Sequence, residues 1–162
     1  MIIVVMGPAG AGKSTVGAAL ARSLGWRFVD ADDFHPHENL VKLAHGEPLT
    51  DRDRAGWLLA LHNAIARAAE RRESMVLACS ALTDAHRATL VSDVGGVRFA
   101  YLKNSAAVLR TRLAARQGHV AKATLLESQL AMLEEPVDAT LTFDGEADID
   151  TIVARIRNEF GA

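Results

Sequence analysis

The residues most able to do chemistry stand near the start of the chain, in the run Gly7-Pro8-Ala9-Gly10-Ala11-Gly12-Lys13-Ser14. An apolar stretch, residues 2–6, precedes this run directly, so the sequence predicts a strand, a phosphate-binding loop and then a helix. Glycines at this spacing let backbone N–H groups turn inward around phosphate oxygens, and the positive end of the helix points at the same anion. We expect Lys13 to reach the β- and γ-phosphates and Ser14 to hold Mg²⁺, with Thr15 closing the nucleotide-binding set.

A second group of polar residues, Asp30 and Asp32, follows the short strand predicted at residues 26–29. Sheets of α/β proteins place their ligands at the C-terminal ends of strands. The two carboxylates could orient Mg²⁺ through water, and Asp32 is the better candidate for the base that accepts a proton from an acceptor hydroxyl. Helix capping or loop solvation is the alternative, but three acids in four positions repel one another unless a cation or hydrogen-bond donors compensate.

Candidate acceptor contacts follow these acids. His35, Asn39 and Lys42 are spaced four and three residues apart, so they share one face of a predicted short helix. This face could line a pocket for a polyhydroxylated or anionic acceptor, and a solvated helix face fits the same pattern. Arg54 and Trp57 are three residues apart on the next predicted helix, where Trp57 also fits an ordinary core position.

A cationic stretch late in the chain predicts a mobile lid over the nucleotide. Arg112 and Arg116 lie one helical turn apart, so both guanidinium groups could contact phosphate or stack on the base. The predicted lid covers about residues 116–124. His119 within it fits either a hinge neighbour or a ligand contact, and a plain basic helix face is the alternative for the two arginines.

The elements that must position these residues begin and end at recognisable signals. Gly25 follows the last apolar position of the first helix, as a C-terminal stop does. Thr50 and Asp53 resemble a capping box for a long helix that ends near Arg71. Ser105 caps a later helix, and a final helix is predicted at residues 149–160.

Strands alternate with these helices, at residues 74–79, 97–102 and 139–143 in addition to the two already described. Such alternation predicts an α/β fold with a parallel sheet covered on both faces. We therefore expect one domain, residues 1–162, built as a three-layer P-loop NTPase-type sandwich with five parallel strands. Residues 35–72 would form an acceptor-binding insertion.

Composition excludes several classes of function. The chain has 162 residues, 18 basic and 20 acidic side chains, and no basic block that would follow a nucleic-acid backbone. No stretch approaches the ~20 apolar residues of a membrane span. Cys79 is the single cysteine, so we expect a buried thiol in a reducing compartment. These features predict a soluble, cytoplasmic protein that binds neither nucleic acid nor membranes.

Two further motifs are more specific than the phosphate loop: the run Gly46-Glu47-Pro48-Leu49-Thr50-Asp51-Arg52-Asp53-Arg54 with Trp57-Leu58, and the turn Cys79-Ser80-Ala81-Leu82. With the segment Leu125-Leu126-x-Ser128-Gln129-x-x-x-Leu133-Glu134-x-Pro136, they carry a resemblance that runs nearly end to end. The chain resembles bacterial-type gluconate kinases, small P-loop kinases related in fold to shikimate kinase and nucleoside monophosphate kinases. Thr83 and His86 depart from the family pattern, in which many members have lysine and tyrosine.

The resemblance implies ATP-dependent phosphorylation of D-gluconate at its 6-hydroxyl, with Mg²⁺, to supply 6-phosphogluconate to the pentose phosphate pathway. It also implies a homodimer. Lys13, Asp32 and Arg116 would be catalytic, and Arg112 and Arg116 would belong to the lid. The acceptor-binding set implied by the resemblance and the spacing comprises Asp32, His35, Asn39, Lys42, Arg54, Ser80, Arg87 and His119.

Two other functions remain open at this point. One is a kinase for another small anionic polyol or a shikimate-like acid, although a shikimate-type pocket would have a Gly-Gly-Gly turn where this chain has Cys79-Ser80-Ala81. The other is a non-catalytic sensor of ATP and a sugar acid, which would have no need of Asp32 beside the γ-phosphate.

Overall fold

The computed structural model describes residues 1–115, 119–137 and 140–162. Five strands and seven helices alternate along these residues, and a 3₁₀ turn, Ala31–Phe34, follows the second strand. The strands are β1 (Ile2–Met6), β2 (Arg27–Asp30), β3 (Met75–Cys79), β4 (Val97–Lys103) and β5 (Thr140–Asp144). The helices are α1 (Lys13–Leu24), α2 (His37–Ala44), α3 (Asp51–Glu70), α4 (Asp84–Val91), α5 (Ala106–Ala114), α6 (His119–Met132) and α7 (Ile149–Phe160).

All five strands pair in parallel, in the order β2-β3-β1-β4-β5, which confirms the predicted sheet. β1 lies at the centre and is buried along its whole length. Its last residue, Met6, pairs in register with Cys79 of β3 and Tyr101 of β4. The carboxyl ends of three central strands therefore meet at one edge, where the strand order reverses on either side of β1 and where such sheets bind ligands.

Helices cover both faces of the sheet, so the predicted three-layer sandwich is also confirmed. α3 and α4 pack on one face, where Trp57, Leu61, Ile65 and Leu90 are buried. α1, α5 and α7 pack on the other, where Leu20, Leu109 and Ile156 are buried. Because apolar side chains meet helices above and below, the strands read as continuous apolar runs without polar alternation.

The predicted helix signals agree with the structure. Thr50 accepts a hydrogen bond from the N–H of Asp53, and the Asp53 carboxylate accepts one from the N–H of Thr50, so both halves of the capping box are formed. Gly25 ends α1 in the left-handed conformation with φ of 67°. The hydroxyl of Ser105 caps α5.

The predicted lid interval, residues 116–124, falls partly outside the described residues. From His119 onward it is the beginning of α6, which the sequence predicts to start only near Leu125. The difference has a simple physical reason: residues 119–132 contain several strong helix formers and neither glycine nor proline, so nothing stops the helix from extending back towards Gly118.

Candidate active site

The phosphate-binding loop forms the turn between β1 and α1. Gly7 has φ of 147°, and a Cβ atom there would lie 3.1 Å from the carbonyl oxygen of Leu102, so the position requires glycine. Gly12 precedes α1 with φ of 91° and offers no side chain to cap the helix. The first N–H groups of α1 are therefore left for an anion, which is the arrangement that phosphate binding needs.

Lys13 is held at this loop. Its ammonium donates a hydrogen bond to the carbonyl oxygen of Pro8 at 3.0 Å, across the turn of the loop. The side chain also lines a cavity, together with Ala9, Gly10 and Thr15. This places a positive charge beside the N-terminus of α1, where the charge of a bound phosphate group would be greatest.

A chain of hydrogen bonds joins the start of α1 to the end of β2. The hydroxyl of Ser14 donates to Asp30 Oδ2 at 2.6 Å, and Asp30 Oδ1 accepts from the backbone N–H of Asp32 at 3.1 Å. Asp32 itself lines the cavity. The three residues thus present oxygen atoms to one corner of the site, directly after the phosphate loop.

These oxygens fit Mg²⁺, which prefers hard oxygen ligands and takes only one or two from a protein when substrate phosphates supply the others. Within the described residues no group of three or more His, Cys, Asp or Glu side chains is arranged for a metal ion. An ion here would therefore draw most of its ligands from phosphate and water. Asp30, which the sequence placed near the metal without a defined contact, is the carboxylate that bonds directly to Ser14.

Trp57 fixes His35 at the wall of the cavity. The indole N–H donates to the carbonyl oxygen of Ala31 at 2.7 Å, and the two rings stack with centroids 4.5 Å apart and planes 10° apart. Burial lowers the pKa of His35 from its ordinary value, Asp32 opposes this effect, and Arg54 adds to it. His35 is therefore neutral at pH 7 and can offer a ring nitrogen to an acceptor hydroxyl. Trp57 is both a core residue and the support of this ring.

Asn39 and Lys42 contact α3 and do not line the cavity. The amide of Asn39 donates to the carbonyl oxygen of Asp53 at 2.9 Å and lies 3.3 Å from Nδ1 of His35. The ammonium of Lys42 contacts both carboxylate oxygens of Asp53 at 3.0 Å. The acceptor contacts predicted for these two residues are replaced by contacts that hold α2 against α3, because the capping carboxylate of Asp53 attracts the lysine.

Arg54 and His86 line the cavity from two helices. The guanidinium of Arg54 lies 3.5 Å from the exposed carboxylate of Asp51, which is a weak contact at the limit of hydrogen bonding. His86 stands in the first turn of α4, whose N-cap is Thr83, and is 8% exposed. In the sequence His86 stands out only as a departure from the family pattern, and it was not predicted as a site residue.

Arg87, a predicted acceptor contact, turns away from the cavity. Its guanidinium donates to the carbonyl oxygens of Ala81 at 2.9 Å, Leu82 at 3.1 Å and Glu134 at 3.0 Å, and it pairs with Asp84. The bend after β3 directs these carbonyls at the guanidinium, and Arg87 is not among the residues that line the cavity, so its acceptor contact stays a prediction. Arg87 thereby holds the Cys79–Leu82 turn, in which Ser80 lines the cavity.

Arg112 stands beside the phosphate loop. Its guanidinium donates to Asn104 Oδ1 at 2.9 Å, to the carbonyl oxygen of Gly145 at 3.0 Å and to that of Gly10 at 3.4 Å. It is not among the residues that line the cavity. The structure thus brings this cation to the nucleotide end of the site. Arg116, its predicted partner, lies outside the described residues, and His119 is the first residue of α6.

The helix after the predicted lid reaches the phosphate loop through Gln129. Its side-chain oxygen accepts a hydrogen bond from the backbone N–H of Ala9 at 2.7 Å, across 120 positions of sequence. Leu125 and Ser128 of the same helix also line the cavity. α6 is therefore a wall of the site, a role that no periodicity in the sequence indicated.

One cavity of about 470 Å³ joins those of the groups above that line it, and this volume is typical of sites for small molecules. Among the described residues its polar wall comprises Lys13, Ser14, Thr15, Asp30, Asp32, His35, Arg54, Ser80, His86, Ser128 and Gln129. Cys79 also borders it, but burial raises the pKa of its thiol to about 12, so the thiol is not reactive at neutral pH.

Comparison with known proteins places the chain in a family. Residues 2–136 match a family model described as an AAA domain. A probable gluconokinase of Xenopus tropicalis is 42% identical, over 98% of this chain and 93% of that protein. The gluconokinase of Gluconobacter oxydans strain 621H is 40% identical, over 99% of this chain and 91% of that protein. The chain belongs to the gluconokinase family.

The fold of this gluconokinase-family chain agrees with that assignment. A crystal structure of a gluconokinase from Sinorhizobium meliloti 1021 superposes with a TM-score of 0.88, at 39% sequence identity, over 98% of this chain and 90% of that one. The family resemblance and the P-loop kinase fold predicted from the sequence are both confirmed. No helix in the described ranges is long and apolar enough to cross a membrane.

Proposed function

We propose that this gluconokinase-family protein transfers the γ-phosphoryl group of ATP to the 6-hydroxyl of D-gluconate. The observation that supports this most directly is that one cavity is lined by the phosphate loop, Asp32, Arg54 and His86. One end of the cavity is suited to phosphate and the other to a hydroxylated anion. Transfer between two bound ligands requires this continuity, since the acceptor must lie in line with the γ-phosphate.

At the nucleotide end, the N-terminus of α1 and the ammonium of Lys13 bind the phosphates. Ser14 and Asp32, with help from Asp30, would hold Mg²⁺, which would supply positive charge to the nucleotide phosphates. Arg112, with Arg116 of the lid, supplies further positive charge close to the loop. Each of these contacts strengthens as negative charge moves towards the β–γ bridging oxygen, which favours the transition state.

At the acceptor end, His35 and Arg54 orient gluconate, while Trp57 supports the histidine ring. The acceptor hydroxyl attacks phosphorus, an oxygen–phosphorus bond forms, and the bond to the bridging oxygen of ADP breaks. Asp32 accepts the proton that the hydroxyl loses. Ser80, at the turn after β3, lies between the two ligands, and His119 belongs to the lid that closes over them.

The protein works as a cytoplasmic homodimer in this proposal. Sedimentation or light scattering should give about twice the mass of the 17.4 kDa chain. Neither nucleic acid nor a membrane is a partner.

A coupled assay of ADP release tests the activity, with ATP and Mg²⁺ supplied and gluconate, shikimate, glycerate and nucleoside monophosphates compared as acceptors. We expect turnover with gluconate and little with the others. Turnover with shikimate or glycerate alone would favour a kinase for another anionic acceptor. Binding of ATP and gluconate without any turnover would favour a sensor and would refute the proposal.

A further inference from the structure

Two neighbouring residues of α4, His86 and Arg87, have opposite environments. The guanidinium of Arg87 donates to three backbone carbonyls and to Asp84, and Arg87 is not among the residues that line the cavity. His86 lines the cavity, and its backbone N–H bonds to the hydroxyl of the N-cap Thr83, which fixes the turn that carries it. The side chain of α4 that can meet an acceptor is therefore the histidine.

The ring nitrogens of His86 form no hydrogen bond with any of the described residues, although the residue is 8% exposed. No fully buried polar side-chain atom in the described parts of the chain lacks a partner, so the ring nitrogens of His86 keep some accessible surface, and the residue itself lines the cavity. A histidine held in this way offers an unused donor to whatever occupies the cavity. Arg54, on the opposite helix, offers a guanidinium whose contact with Asp51 is weak.

Charged neighbours show which residues His86 lies beside. Among charged groups, Arg54 has the largest effect on the pKa of His86. The pKa of His35 responds to both Asp32 and Arg54. His35 is thus close to Asp32 and Arg54, and His86 is close to Arg54.

We infer that His86 and Arg54 together bind the carboxylate of the acceptor, and that His86 takes up a proton when the acceptor binds. The inference rests on the proposed function, in which the reacting 6-hydroxyl of gluconate lies near Asp32. A six-carbon acid held by that hydroxyl must extend its carboxylate away from the phosphate loop. Arg54 and His86 both line the cavity and carry the donors that can meet this carboxylate.

Proton uptake follows from the charges that surround the ring. Burial lowers the pKa of His86 most, Arg54 and Arg87 lower it further, and Asp51 and Glu134 oppose them. The free enzyme therefore holds His86 neutral at pH 7. A bound carboxylate adds a negative charge beside the ring and neutralises Arg54, and both effects raise the pKa of His86 in the complex.

The sign of the pH dependence is fixed by this difference. When the pKa of a group is higher in the complex than in the free enzyme, the ligand binds more tightly at lower pH. Affinity increases as pH falls through the pKa of the complex and levels off below the pKa of the free enzyme. The KM for gluconate should therefore rise with pH across about pH 6 to 8, a range in which the carboxylate of the acceptor stays ionised. The KM for ATP should not follow it, since no nucleotide contact is assigned to His86.

The test uses His86→Phe, which keeps the ring shape without nitrogen atoms, and His86→Gln, which restores an N–H donor that cannot titrate. We expect the phenylalanine variant to raise the KM for gluconate about tenfold or more, with a small change in the KM for ATP. The glutamine variant should recover much of the affinity and show no rise of KM with pH. His62→Phe is the matched control, because His62 is a half-buried histidine of α3 that contacts Leu90 and does not line the cavity.

Calorimetry of the wild-type protein provides a measurement that needs no variant. Gluconate titrated in two buffers of different ionisation enthalpy reports the number of protons taken up, which we expect to be positive near pH 7 and to vanish in His86→Phe. Uptake that persists in His86→Phe would assign the proton to His35 and overturn the inference. An unchanged gluconate KM in a folded His86→Phe would also overturn it, while absence of wild-type turnover with gluconate would refute the proposed function itself.

Discussion

The ammonium of Lys13 bonds to the carbonyl of Pro8 and borders the cavity, so it can exchange that neutral partner for phosphate oxygens without moving its backbone. We expect Lys13→Ala to lower kcat by about 10²–10³ or more, because a preorganised charge is lost where negative charge develops. Steady-state kinetics would measure this. Lys103→Ala is the matched control, since Lys103 pairs with Glu135 on the surface. Equal losses in the two variants would contradict the role of Lys13.

Arg87 has a structural role that its neighbour does not share. Arg87→Ala would remove the buried donor of the Ala81 and Glu134 carbonyls and one of the two donors of the Leu82 carbonyl, so we expect the free energy of unfolding to fall by about 2–4 kcal/mol. Urea unfolding would measure the loss. Arg110→Ala, which breaks an exposed pair with Glu127, should cost clearly less. Wild-type stability in Arg87→Ala would show that these contacts contribute little.

Single residues were also where the sequence was least informative. Spacing identified the phosphate loop, and the strand end identified Asp30 and Asp32, because both signals are local. Choosing between His86 and Arg87 depended on the exact first turn of α4, since adjacent helix positions point about 100° apart. Charge alone favoured Arg87 as the acceptor contact. In the folded turn its guanidinium donates to backbone carbonyls instead, and the sequence does not show that these carbonyls come together.

At the scale of elements, one carboxylate, that of Asp53, both caps the start of α3 and holds α2 in place through Lys42. The N–H of Thr50, then Lys42 and the Thr50 hydroxyl, lower the pKa of Asp53 from 3.8 to about 2. A carboxylate with a lowered pKa stabilises the fold above its unfolded pKa and loses that effect as pH falls through its folded pKa. The stabilisation should therefore be complete above about pH 4 and lost towards pH 2.

Thermal unfolding between about pH 2 and 7 tests this linkage. Asp53→Asn should lower Tm near neutral pH and should show a weaker fall of Tm below pH 4 than the wild type. Asp150→Asn, in the exposed first turn of α7, should keep the wild-type profile. Parallel profiles for wild type and Asp53→Asn would show that the capping carboxylate does not act in this way.

The contact between α6 and the phosphate loop gives a second prediction at this scale. Gln129→Glu keeps an acceptor for the N–H of Ala9 but adds a negative charge beside bound phosphates, so we expect the KM for ATP to rise more than in Gln129→Leu. Kinetics at varied ATP concentration would measure both. Glu127→Gln changes one charge on the exposed side of the same helix and serves as the control. A larger effect from leucine than from glutamate would point to a purely structural contact.

Elements with local signals could be predicted, and elements placed by distant contacts could not. The capping box fixed the start of α3 because Thr50 and Asp53 bond to each other. The position of α6 beside Ala9 depends on Gln129, 120 residues away, and no pattern near Gln129 indicates that partner. The sequence predicted a flexible segment before Leu125 because of Gly118 and the charged residues after it. The helix propensity of residues 119–124 was the stronger signal, and α6 begins at His119.

For the whole molecule, alternating strands and helices were enough to predict a parallel sheet with two covered faces. The strand order β2-β3-β1-β4-β5 could not be predicted from the sequence. Parallel strands that are neighbours in the sheet are joined by crossover connections and need not follow each other along the chain. That order matters for function. It places β1, which carries the phosphate loop, beside β3, and β2 with its acids on the far side of β3.

This arrangement divides one cavity between two ligands, so each ligand should stabilise the protein through its own residues. A ligand present at about 100 times its Kd adds about 2.7 kcal/mol, which for a domain of this size raises Tm by about 5–10 °C. Thermal shifts with MgADP and with gluconate should both be seen in the wild type, and sorbitol, which lacks the carboxylate, should give a much smaller shift than gluconate. Arg54→Ala should lose the gluconate shift and keep the MgADP shift, and Lys13→Ala should do the reverse. Loss of both shifts in either variant would mean that the two ends of the cavity do not bind their ligands through separate residues.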